Sequence, residues 1–131
     1  MKIFKVELFI LGCLFMAAFV VKSCNGSTNS ELNIRVENAS IYDYKNVQVQ
    51  GGTTDHNYGD LNAGETSEYK LYDYAYSYAF VSLQIDGENY TIQPIDFIGE
   101  ERLDPGNYSY IISASDSESE FDRLTIELRV D

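Results

Sequence analysis

Asp86-Gly87, set between two runs of alternating apolar and polar residues, constrains the fold of this chain more than any other feature. Both residues tolerate the positive φ that a two-residue type I′ hairpin turn demands, and the flanks test the register. With Ile85 opposite Glu88, Leu83 falls opposite Tyr90 and Val81 opposite Ile92, while Gln84 meets Asn89 and Ser82 meets Thr91. One face of that pairing is apolar and the other polar. A slip of one residue would scramble both, so the sequence predicts an antiparallel hairpin with Val81 and Leu83 turned into a core.

The same period of two recurs along the chain. Leu32, Ile34 and Val36 alternate with Asn33, Arg35 and Glu37, which reads as a first strand with one buried face. A second runs from about Asn46 to Gln50, with Val47 and Val49 inward, and stops at Gly51-Gly52. Thr53 to Gly64 is polar and glycine-punctuated, which predicts a loop with a short edge strand near Tyr58. Leu103-Asp104-Pro105-Gly106 is a turn, followed by a strand from Tyr108 to Ser113. A last strand, about Arg123 to Val130, points Leu124, Ile126, Leu128 and Val130 to one side. No segment after the leader has a convincing helical period, so the fold class is all-β. We expect a single antiparallel β-sandwich of about seven strands following an N-terminal signal helix.

That leader comprises residues 1–23. Lys2 and Lys5 make a basic start, and Leu8 to Val21 is an uncharged run of fourteen residues, shorter than the ~20 needed to span a bilayer. Residues 24–30, beginning Cys24-Asn25-Gly26-Ser27, are small and polar like a flexible tether, and 31–131 would form the sandwich. Removing the leader takes Lys2, Lys5, Lys22 and Glu7 from nine basic and twenty-one acidic residues, leaving six and twenty, a net charge of −14. Such a surface disfavours nucleic acid and favours cationic partners. Of the two cysteines, Cys13 lies in the leader and Cys24 at the cleavage point, so neither a disulfide nor a thiolate metal site is available to the domain. Packing alone must hold it, and the eleven tyrosines, with no tryptophan, suit strands and half-wet surfaces.

Val21-Lys22-Ser23-Cys24 resembles a bacterial lipoprotein cleavage box, with an aliphatic residue, a small residue and a cysteine to be acylated. The resemblance implies a diacylglycerol on Cys24 and usually an N-acyl group, two chains that suffice for stable anchoring. Leu103-Asp104-Pro105-Gly106-Asn107-Tyr108-Ser109-Tyr110 resembles the strand-connecting corner of immunoglobulin-like and fibronectin-type domains, which implies that Tyr108 or Tyr110 bonds back to the preceding turn. Leader and sandwich together resemble the small uncharacterised lipoproteins of Bacteroidota. That likeness implies an outer-membrane lipoprotein, periplasmic or surface-facing, whose lipid is its contact with the membrane.

Four groups of residues are candidates for a site. Tyr72, Tyr74, Tyr76, Tyr78 and Phe80 recur at every second position, so an extended segment would project a strip of rings away from the core, fit to stack on sugars or receive a protein. A bend near Asp73 to Ala75 would instead split the run and send some rings inward, the commoner fate of aromatics. Asp116, Glu118, Glu120 and Asp122 gather four carboxylates in seven residues, yet match no calcium-loop spacing and read better as a solvated acidic loop. His56, the single histidine, sits beside Asp55 without any nucleophile or metal motif. Asn25, Asn38, Asn89 and Asn107 each open an Asn-x-Ser/Thr triplet, of weight only in a host that glycosylates them.

The expected function is therefore a lipid-anchored, non-enzymatic binding or assembly module of the cell envelope, without cofactor, metal or catalytic residues, whose partner is a polysaccharide or another envelope protein. The alternative is a small envelope hydrolase, or an enzyme inhibitor, using the His56 loop.

Overall fold

The computed structural model describes residues 30–94, 100–119 and 122–131. The leader, Cys24 and the tether up to Asn29 lie outside the described residues, as does Glu120 of the acidic run. Eight strands are present: β1 (Leu32–Asn38), β2 (Tyr44–Gly51), β3 (Thr54–Leu61), β4 (Lys70–Tyr72), β5 (Phe80–Ile85), β6 (Glu88–Ile92), β7 (Gly106–Ala114) and β8 (Leu124–Val130). They form two four-stranded sheets, ordered β4-β1-β7-β8 and β3-β2-β5-β6. The molecule is an all-β, sandwich-like pair of sheets with no α-helix among the described residues.

The β5–β6 hairpin has the predicted register at all five positions, from Val81 opposite Ile92 to Ile85 opposite Glu88. Its turn residues Asp86 and Gly87 have φ of 51° and 80°, as a type I′ turn requires. Val81 and Leu83 are buried, and from β1 so are Leu32, Ile34 and Val36. Val47 and Val49 meet them from β2, and Tyr110 and Ile112 from β7. Each such side chain contributes about 1.5–3 kcal/mol on leaving water.

Three expectations need correction. The sandwich is not wholly antiparallel: β1 and β7 run parallel, from Leu32 beside Gly106 to Asn38 beside Ile112. Side-chain alternation is the same for either direction, so the sequence pattern was blind to it. Second, Thr54–Leu61 is a full eight-residue edge strand rather than a mostly irregular loop. With one neighbour it buries only His56 and Leu61 and half-buries Tyr58, and its Asp and Asn side chains discourage further pairing. Third, Val130 is 73% exposed. The opposite edge strand, β6, lies over the other end of β8, where Arg123 sits 5.8 Å from the Tyr90 ring, and leaves the Val130 end uncovered.

Tyrosine hydroxyls tie the sheets together where no disulfide is available. Tyr44 on β2 donates to the Ile112 carbonyl on β7 (3.0 Å), and Tyr58 on β3 donates to the Ile34 carbonyl on β1 (2.8 Å). Tyr108 donates to the Asp104 carbonyl (2.9 Å), the bond expected of the corner turn. Burial pushes the Tyr44, Tyr58 and Tyr110 phenols up, so they remain donors. Asn38, fully buried, donates to the carbonyls of Tyr42, Leu61 and Asn62 and accepts from Ser40. Its amide is committed to the fold and inaccessible to a glycan.

Candidate functional site

At Tyr72 the chain leaves the first sheet, and at Phe80 it enters the second. Residues 73–79 are this crossover and pair with no strand. The expected bend is found here, and it divides the aromatic run. Tyr72 does not belong to an outward strip: it is 3% exposed, stacked on His56 with centroids 3.7 Å apart, and its hydroxyl lies 2.9 Å from that of Tyr58. Tyr74, Tyr76, Tyr78 and Phe80 stay half-buried, while the small Ala75 and Ala79 between them turn inward.

The crossover is fastened at three points. Asp73 accepts from the Thr53 hydroxyl (2.6 Å) and amide (3.2 Å) and from the Tyr74 amide (2.9 Å), which joins it to the β2–β3 turn. These bonds, the Thr53 hydroxyl foremost, hold the Asp73 carboxyl below the usual carboxylate range. The Leu103 amide donates to the Ala75 carbonyl (2.8 Å), and the Tyr110 hydroxyl to the Tyr76 carbonyl (2.6 Å). Gly51 and Gly52 make the close approach tolerable. A Cβ on Gly51 would lie 2.4 Å from the Tyr72 ring, and one on Gly52, whose φ is +66°, would lie 1.8 Å from Asp73 Oδ1.

Between the crossover and the β2–β3 turn lies a cleft of about 490 Å³. Its aromatic wall is Tyr74, Tyr76, Tyr78, Phe80 and Tyr110; Gln50, Thr53, Asp55 and Gln93 supply polar groups. That volume falls in the range of small-ligand sites, about 300–1,000 Å³, and the mix of rings with a few polar groups is what such sites use. Tyr74 and Tyr76 meet edge to face at 6.0 Å, and Arg102 lies 3.9 Å from the Tyr74 ring centre. Four of the five aromatic candidates thus converge. Tyr110, Gln50, Thr53, Asp55 and Gln93 were missed, and no local pattern marks them, because they come from other strands, the β2–β3 turn and the end of β6, and meet the crossover only through the topology.

His56 is on β3 opposite Val49, not on a loop. Burial is the main cause that lowers its pKa, with the Gly51 backbone opposing, and its Nε2 has no hydrogen-bond partner among the described residues. Stacked on Tyr72, it behaves as a core ring, and the cleft lining includes its neighbour Asp55 but not His56 itself. In the acidic run, Asp116 accepts the Tyr42 hydroxyl and remains exposed. Among the described residues no three His, Cys, Asp or Glu side chains gather as a metal site would require.

No family model matches the chain, and no curated protein matches it. Among solved structures it is similar to a protein from Eubacterium rectale determined by NMR. The two share 15% sequence identity with a TM-score of 0.52 over 79% of this chain and 91% of the other, a likeness of fold.

Proposed function

We propose that this chain is a lipid-anchored module of the bacterial cell envelope that binds without catalysing, taking part of a polysaccharide or of another envelope protein into the cleft between the crossover and the β2–β3 turn. The observation that carries this reading is the cleft itself, whose crossover is held by ties at Asp73, the Ala75 carbonyl and the Tyr76 carbonyl before any ligand arrives. Rings fixed in advance lose little entropy on binding. The Tyr108 bond to the Asp104 carbonyl supports an immunoglobulin-like reading of the sandwich. The anchor rests on Val21-Lys22-Ser23-Cys24, with acylation at Cys24 in the outer membrane.

Tyr76→Ala with Tyr78→Ala tests the binding reading. Both rings are half-buried, so we expect retention on envelope glycans or envelope protein to fall at least tenfold while the melting temperature moves by only a few degrees. Unchanged retention would remove the cleft as the binding site, and a variant that no longer folds would make those tyrosines core. For the anchor, Cys24→Ser should abolish metabolic labelling with palmitate and release the protein to the soluble fraction. Membrane retention without label would replace the lipid with an uncleaved helix.

A further inference from the structure

We infer that the cleft receives a cationic side chain, an arginine or lysine, from a basic segment of a partner protein. This rests on the binding reading above and gives it a chemical class.

The first ground is the lining. Four half-buried aromatic residues, Tyr74, Tyr76, Tyr78 and Phe80, line it together with the buried Tyr110, Asp55 adds an exposed carboxylate, and no Lys, Arg or His lines the cleft among the described residues. Such a site attracts a cation by the ring quadrupole and by plain charge, and repels an acidic glycan. Tyr74, which lines it, already holds a guanidinium, that of Arg102, 3.9 Å from its ring centre.

The second ground is the charge balance of the whole domain. All six of its basic side chains are committed internally. Lys45 pairs with Asp60 and Arg129 with Glu37 and Asp131. The other four each lie over a tyrosine: Arg35 over Tyr69, Lys70 over Tyr58, Arg102 over Tyr74 and Arg123 over Tyr90. Twenty acidic residues stand against those six, a surplus of fourteen negative charges. The surplus field would also speed the approach of a basic partner and slow that of an acidic one. A neutral sugar would gain nothing from it.

The test uses the full chain in detergent, followed by NMR titration with a blocked Gly-Arg-Gly peptide, the same peptide carrying citrulline for arginine, and a neutral glucose oligomer. The arginine peptide should shift resonances of Tyr76, Tyr78 and Asp55. Citrulline should weaken binding at least fivefold, and Asp55→Asn, at an exposed edge-strand position outside the core, about threefold. Raising salt from about 0.05 to about 0.5 M, roughly a threefold shortening of the Debye length, should weaken the arginine peptide more than the oligomer. Equal binding of citrulline, or the oligomer alone shifting the cleft resonances, overturns the cation and leaves the cleft as a binding site. Arginine binding that survives Tyr76→Ala with Tyr78→Ala, or no probe shifting those resonances, overturns both.

Discussion

Every residue of strands β5 and β6 from Val81 to Ile85 and from Glu88 to Ile92 has a strand beside it, whereas residues 73–79 of the crossover have none. In the hairpin, paired backbone fixes each side chain to one face or the other, so Val81, Leu83 and Ile85 are buried and Ser82 and Gln84 are not. In the crossover the backbone is held at a few points instead, by Asp73, by the Ala75 carbonyl and by the Tyr76 carbonyl. Its rings are placed by those ties and by the glycine turn they lean on. An element fixed by its own ladder serves as scaffold; one fixed from outside can present half-buried rings to a cleft.

Two glycines with the same backbone sign measure that difference, and they carry the largest expected effect. Gly87 in the hairpin turn has φ +80° and nothing within 4 Å of an added Cβ, so Gly87→Ala should cost only the left-handed strain, about 1 kcal/mol. Gly52 has φ +66°, but its Cβ would meet the anchored Asp73 carboxylate and, at 2.8 Å, the Tyr74 carbonyl. Adding the clash to the strain, Gly52→Ala should cost about 3 kcal/mol and open the cleft. Urea unfolding of both variants measures the gap. Equal losses would mean that the β2–β3 turn does not support the crossover.

Hydroxyl deletions sharpen the comparison at smaller scale. Tyr110→Phe leaves the Tyr76 carbonyl without its 2.6 Å donor inside the fold, which should cost about 1–2 kcal/mol and weaken cleft binding. Tyr90→Phe removes an exposed bond within β6, to the Glu88 carboxylate, and should change stability by less than about 0.5 kcal/mol. If the two variants unfold at the same denaturant concentration, the Tyr110 tie is not what holds the crossover.

What the sequence made legible follows the same division. Alternation exposed β1, β5, β6 and most of β7 and β8, because a strand with one buried face writes its geometry into nearest neighbours. For the corner turn the sequence left Tyr108 and Tyr110 open; Tyr108 bonds back to the Asp104 carbonyl, and Tyr110 reaches the crossover instead. Strand β3 was obscured since an edge strand needs few apolar residues, and the parallel β1–β7 pairing leaves no mark on either strand. Of the cleft, Tyr74, Tyr76, Tyr78 and Phe80 stood out in the sequence, but their convergence on Gln50, Asp55 and Tyr110 depends on which strands become neighbours. Tyr72 shows the limit most sharply. Its spacing is identical to that of the cleft tyrosines, and it is in the core because the backbone turns just after it.

The smallest expected effect concerns the ring on which Tyr72 rests. Burial lowers the His56 pKa below its ordinary 6.5, so the unfolded chain binds a proton that the folded chain resists. The stability due to neutral His56 is then complete above about pH 6.5 and declines as pH falls from there toward the lowered folded value. Protonation would place a charge against Tyr72, at the point where the crossover begins, and the hairpin contains no histidine. Amide exchange between pH 7.5 and 5 should therefore loosen residues 72–79 ahead of 81–92, and His56→Phe, which keeps a ring on Tyr72, should remove that pH dependence. A His56 that titrates at or above 6.5, or a hairpin that loosens in step, would show that the two regions share one stability and that the crossover has no separate fastening.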